Sequence, residues 1–180
     1  MYDGLKIISY PDPRLRKIST EVKAFDDNLA ALMRKMFELM RESRGVGLAA
    51  PQVGQNIRLF ITNHTGKPED DRVYVNPFLF DADGEEIANE GCLSLPNIEA
   101  EVNRAKTVKI QAKSVTGDPI EATEIGYLAR IWQHELDHLN GILLIDRMGP
   151  TARVESRKTL KELEDKFAAE RSDEPGRSGK

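Results

Sequence analysis

The stretch Gln133-His134-Glu135-Leu136-Asp137-His138 constrains this chain more than any other. Wound as a helix, it stacks two imidazoles four residues apart on a single face. Both rings can then reach one metal ion. Glu135 lies between them, turned around the helix, where it can face water held by the metal. This is the H-E-x-x-H pattern of metal-assisted hydrolysis. A salt-bridged surface helix could carry the same letters. Here Trp132, Leu136 and Leu139 surround them, which argues for burial, and buried imidazoles beside carboxylates need a reason. Two imidazoles do not complete a site, so the chain must bring a further ligand to this helix.

Three sources of that ligand can be weighed. A third histidine six residues after the second is absent, because Leu144 stands there. A glutamate on a later helix is a second source. Glu155, Glu162 and Glu164 are candidates, on a helix whose acidic face reads as peripheral. The remaining soft donor is Cys92, in Glu90-Gly91-Cys92-Leu93-Ser94-Leu95-Pro96. A lone cysteine often serves as a small apolar side chain. This one sits between a glycine and a proline, which shape backbone more than they fill a core. A thiolate with two imidazoles leaves a fourth position open for water.

A third stretch, Gly45-Val46-Gly47-Leu48-Ala49-Ala50-Pro51-Gln52, is too glycine-rich for a helix interior. It fits a dinucleotide fingerprint only formally, since no strand–turn–helix unit surrounds it. It reads better as backbone that a ligand approaches closely. Gln52 then offers an amide donor for an oxyanion. Taken alone, the stretch is an ordinary glycine-rich loop.

The rest of the chain supports one domain. Its 180 residues suffice for a substantial core. A formal net charge of −4 argues against a nucleic-acid surface, so no DNA partner is expected. One cysteine forms no intrachain disulfide, which fits a reducing compartment. The N-terminus lacks the apolar run of a signal peptide. No segment approaches the roughly 18 apolar residues that span a membrane. A cytoplasmic location is expected.

Helical spacing of Leu29, Leu32, Met33, Met36, Phe37, Leu39 and Met40 predicts a helix from Asp27 to Ser43, capped by Asp26 or Asp27. Strands are predicted at Ile57 to Thr62, at Val73 to Phe80, at Ile98 to Val102 and over the alternating Val108, Ile110 and Ala112. Pro77 marks the second of these as a strand end or edge. Ile120 to Thr123 returns as a hairpin partner. The metal helix runs from Ile125 or Gly126 to Asn140, stopped by Gly141. Ile142 to Ile145 is predicted as a short strand, Val154 to Ala169 as a helix. The fold class is α+β, with antiparallel or mixed sheets around a central metal-binding helix and a helix at each end. Residues 1–170 form the domain, and 171–180 a polar disordered tail.

Together the three stretches, in this order and at these separations, resemble the signature motifs of the peptide deformylase family. Pro11-Asp12-Pro13-Arg14-Leu15-Arg16 and Ile145-Asp146-Arg147 resemble it too, so the likeness covers about Ile7 to Arg147. The resemblance implies a hydrolase that removes the formyl group from the formyl-methionine of nascent polypeptides. It implies a metal held by Cys92, His134 and His138, natively ferrous iron (Fe2+), with Ni2+, Co2+ or Zn2+ as replacements. It implies Glu135 as general base on the metal-bound water and then acid to the leaving amine. Gln52 and the backbone N–H of Leu93 resemble the oxyanion-stabilising pair, and Gly47 lies where the family's backbone meets substrate. Val46, Ile131 and part of Tyr127 are candidates for the apolar pocket that takes methionine. Asp137 can pair with Arg104 behind the ligands. The C-terminal helix resembles one that docks on the ribosome, with Arg153, Arg157, Lys158 and Lys161 available. A solvated face serves equally, because acids are interspersed. Two alternatives remain: an H-E-x-x-H endopeptidase, and a metal-binding protein of this type without turnover.

Overall fold

The structure, a computed structural model, describes Tyr2 and residues 4–172. Helix α1 spans Asp27–Glu42 and begins where Asp26 accepts the N–H of Leu29 at 3.0 Å. Such a cap is worth about 1 kcal/mol. Its buried stripe is Leu29, Leu32, Met33, Met36, Phe37 and Met40, while Leu39, predicted with them, is only partly buried. That stripe packs on Leu48, Leu59, Ile61 and Val75 of the main sheet.

The main sheet is antiparallel, in the order β1-β2-β3-β6-β7. Its strands are β1 (Gly47–Ala49), β2 (Leu59–Thr62), β3 (Arg72–Asp83), β6 (Thr107–Lys113) and β7 (Pro119–Ile125). Strand β3 refines the reading of Pro77. It is not a strand end, since β3 runs on to Asp83, but it does lie where an edge opens: β2 pairs only as far as Val75, and beyond that residue β3 has β6 alone. Pro77 sits where the ladder shifts register between Val75 and Phe78, so its missing N–H breaks no bond. Asn76 adopts a φ of 51° beside it. Its side chain then clasps Val22, accepting the N–H at 2.8 Å and donating to the carbonyl at 2.9 Å.

A second sheet pairs β4 (Glu86–Cys92) with β5 (Leu95–Arg104). Sequence reading found only the middle of β5 and missed β4. The buried side chain of β4 is Glu90, not an apolar residue, so no apolar alternation marks the strand.

Helix α2 (Tyr127–Leu139) lies between the two sheets. Trp132 and Leu139 pack on Ala49, Phe60, Tyr74, Val108 and Ile110 of the main sheet. Arg130 and Asp137 reach Glu90 and Arg104 of the small one. The helix ends at Asn140, and Gly141 follows with φ 72°, its α-carbon so close to Arg16 that a Cβ would lie 2.5 Å from the carbonyl oxygen. Residues 142–145 are not a strand. Leu144–Arg147 form one helical turn, α3, with Asp146 accepting the N–H of Leu143 at 2.8 Å. A run of four apolar residues fits either state, and here all of its buried members enter one core with Ile8 and Leu15. The predicted C-terminal helix is two, α4 (Pro150–Glu155) and α5 (Arg157–Ser172), separated at Ser156. Leu160 and Leu163 dock α5 on that same core. Helix α5 includes Arg171 and Ser172, the first two residues of the expected tail; 173–180 lie outside the described residues. No helix among the described residues is long and apolar enough to cross a membrane.

Candidate metal centre

Helix α2 presents His134 and His138 one turn apart, with ring centroids 5.0 Å from each other. Cys92 arrives from the end of β4, where the pairing with β5 shifts register after Gly91. Its Sγ lies 3.3 Å from Nε2 of His138. One ligand atom from each of Cys92, His134 and His138 falls within 4.8 Å of the others, the only such cluster of three or more among the described residues. The glutamate alternatives are elsewhere: Glu164 accepts the hydroxyl of Tyr10, and Glu162 faces Lys158 along α5.

Behind the ligands stands Glu90, which sequence reading did not single out. Its Oε2 is 3.0 Å from Nδ1 of His134. The same carboxylate accepts Nε and Nη2 of Arg104 at 2.7 and 2.9 Å, and Nη1 of Arg130 at 2.8 Å. Arg104 passes on to Asp137 at 2.7 Å, as expected, and Arg147 closes the chain on Asp137 at 2.6 Å. Burial alone would raise the pKa of Glu90. The hydrogen bonds from Arg104 and His134 outweigh it and hold the carboxyl well below the usual range. With Nδ1 of His134 tied to a carboxylate, Nε2 is left for a metal. One signal could have found Glu90: it lies two residues before Cys92, on the same face of a strand.

Glu135 sits across from this network, 4% exposed, with Oε2 unpartnered. Burial raises its pKa to about 7. A Cβ at Gly47 would overlap this carboxylate, coming within 2.9 Å of Cδ. Gln52 is buried with its amide orientation fixed. Its Oε1 accepts the N–H of Ala49 at 2.8 Å, which turns Nε2 to Ser94 Oγ at 3.2 Å and Cys92 Sγ at 3.7 Å.

These groups line one cavity of about 520 Å³. Val46, Gly47, Leu93, Tyr127 and Ile131 line it as well, so the predicted substrate-side residues share one space with Gln52, Cys92, His134 and Glu135. Ile131 is buried in the wall, whereas Tyr127 is 57% exposed and stands at the mouth. His138 lies behind the wall, 1% exposed. Burial lowers its pKa, which keeps the ring in the neutral form a ligand requires.

A family model described as polypeptide deformylase matches residues 4–154. A peptide deformylase of Thermotoga petrophila is 43% identical over 159 residues, 88% of this chain and 95% of that one. The chloroplastic peptide deformylase 1B of Oryza sativa subsp. japonica is 45% identical over 166 residues. That match takes in 91% of this chain, which spans 62% of the rice protein. Among solved structures, a peptide deformylase of Plasmodium falciparum superposes with a TM-score of 0.89 at 42% identity, covering 91% of this chain and 98% of the other. One from Legionella pneumophila gives 0.84 at 42% identity, covering 95% and 99%.

Proposed function

This chain belongs to the peptide deformylase family, and on that premise we propose that it hydrolyses the formyl group from the N-terminal methionine of new polypeptides, releasing formate and a free amine. The observation that carries the reading is the placement of Glu135, buried and unpartnered, in the wall of a cavity shared with Cys92 and His134.

Cys92, His134 and His138 fit a divalent cation. The set is a thiol and two imidazoles whose ligand atoms converge, and one imidazole is already oriented by Glu90. When bound, the cation supplies a Lewis acid that acidifies water and polarises the formyl oxygen. We infer Fe2+, with Ni2+, Co2+ or Zn2+ as substitutes. Glu135 takes the proton from the attacking water and returns it to the leaving nitrogen. Such proton transfer by a positioned carboxylate is worth roughly 10²–10⁴-fold. The Nε2 of Gln52 and the backbone N–H of Leu93 stabilise the developing oxyanion, on the order of 3 kcal/mol for one such donor. Val46, Ile131 and Tyr127 receive the methionine side chain, and Gly47 lets backbone pass close.

A cytoplasmic location is part of the same proposal, supported by the free thiol of Cys92; two plant relatives are named for organelles. A ribosome contact would use the exposed face of α5. Lys158, Lys161 and Lys166 each face an acid one turn on, so that contact would draw little on net charge.

The test is formate release from formyl-Met-Ala-Ser by protein purified without oxygen, alongside its metal content. Cys92→Ala should lose both. A Cys92→Ala protein that still releases formate would overturn the assignment.

A further inference from the structure

The cavity is far larger than one methionine needs, so residues after methionine lie in it too. Its inner charges are spoken for: Glu90 and Arg130 pair with each other at 2.8 Å, and Glu135 serves the reaction. Two exposed charged residues remain on its lining, Arg44 and Glu99. They stand on different walls. Arg44 ends the turn after α1, with φ 55°, and leads through Gly45 into β1. Glu99 is on β5, in register with Gly91, and its Cγ lies 3.8 Å from where a Gly91 Cβ would be. The glycine lets this side chain lie across β4 one residue from Cys92. Asn89 then donates to its Oε2 at 2.7 Å, holding the carboxylate at the mouth without neutralising it. Glu99 makes no ion pair among the described residues.

An extended peptide sends successive side chains to opposite sides. Lying between these walls, it offers one side chain toward Glu99 and its neighbour toward Arg44. We propose that Glu99 and Arg44 read the charge of the residues after methionine, Glu99 favouring a cationic side chain and Arg44 an anionic one. The inference rests on the proposed deformylation, since it concerns the selectivity of that same cavity. Both groups face water, so the discrimination is several-fold rather than absolute and weakens with salt.

The experiment compares kcat/KM at low ionic strength for formyl-Met-Ala-Ala and for peptides with lysine or glutamate at the second or the third position. At one position lysine should exceed glutamate by roughly three- to tenfold. That ratio should approach one in Glu99→Gln and invert in Glu99→Lys. At the other position Arg44→Glu should move the ratio the opposite way. Each ratio is taken within one protein preparation, so a change in overall activity does not enter it. Equal rates for all peptides in the wild type, or ratios that Glu99→Lys leaves in place, would overturn the proposal. If the wild type released formate from none of these peptides, it is the deformylase reading that would fall.

Discussion

Gly47 is glycine because the Glu135 carboxylate occupies the space a side chain would take. The resemblance placed Gly47 against substrate; the structure adds that it also seats the base. Gly47→Ala should therefore displace Glu135 and lower kcat by 10²-fold or more, while metal content stays near wild type. Normal kcat in a correctly metallated Gly47→Ala protein would show that Glu135 can yield without loss. The burial of Glu135 has a second consequence. Its pKa rises from 4.5 to about 7, so folding favours the protonated form. The stability this gives is complete below pH 4.5 and is lost as pH rises through about 7, a difference of up to about 3 kcal/mol from the shift itself. In metal-free protein, Glu135→Gln should thus raise the melting temperature relative to wild type far more at pH 8 than at pH 5. Denaturation scans at the two pH values decide it; an equal effect at both would mean that ionisation of Glu135 costs nothing.

Strand β4 and helix α2 exchange buried charge rather than apolar area where they meet. Glu90 holds Arg104, Arg130 and His134 at once. Because the carboxyl is depressed in the folded protein, its stabilisation is present above its ordinary pKa of 4.5 and is lost as pH falls below it. Glu90→Gln should cost roughly 3–5 kcal/mol, since it removes the buried charge that Arg104 and Arg130 share and leaves Arg104 with Asp137 and Arg130 hydrogen-bonded to backbone carbonyls alone. It should also weaken metal binding by about 10–100-fold through the loosened His134 ring. Urea midpoints from pH 6 to pH 3.5 should fall steeply in the wild type and less so in this variant; parallel curves would remove Glu90 from the acid response. The same contact explains what sequence could and could not show. Helices α1 and α2 announce themselves because their apolar stripes face sheets. Strand β4 does not, because its inward partners are arginines, so alternation of apolar residues never appears. Pro77 was half legible: it marks the side of β3 left open beyond Val75, while the bulge that lets the strand continue through it is set by tertiary pairing.

At the scale of the whole molecule, the three motifs come from three separate bodies: the edge of the main sheet, the turn of the small sheet and the helix between them. Their residues were legible because each motif has its own chemistry. Their convergence was legible only through the ligand chemistry and the resemblance, since no local pattern says that Cys92 lies beside a residue 46 positions later. What fixes the bodies together includes the N-terminal segment, whose role no motif suggests. The N–H of Ile8 donates to the carbonyl of Gln52 at 2.8 Å, and that of Tyr10 to the carbonyl of Ser94 at 2.9 Å. Further on, the N–H of Ser19 donates to the carbonyl of Leu139, at the end of α2. One segment thus ties the carriers of the proposed oxyanion donor, the thiol and the imidazoles. Catalytic geometry tolerates little drift, and an error near 1 Å can cost about 10²-fold. A chain that starts at Pro11 loses the first two ties and keeps the third. It should retain its metal, because Glu90 still orients His134 and α2 still carries both imidazoles. Its kcat should fall tenfold or more at temperatures well below its melting point, where the loss cannot come from unfolding. Full kcat in that shortened chain would show that Gln52 and Ser94 keep their places through the two sheets alone.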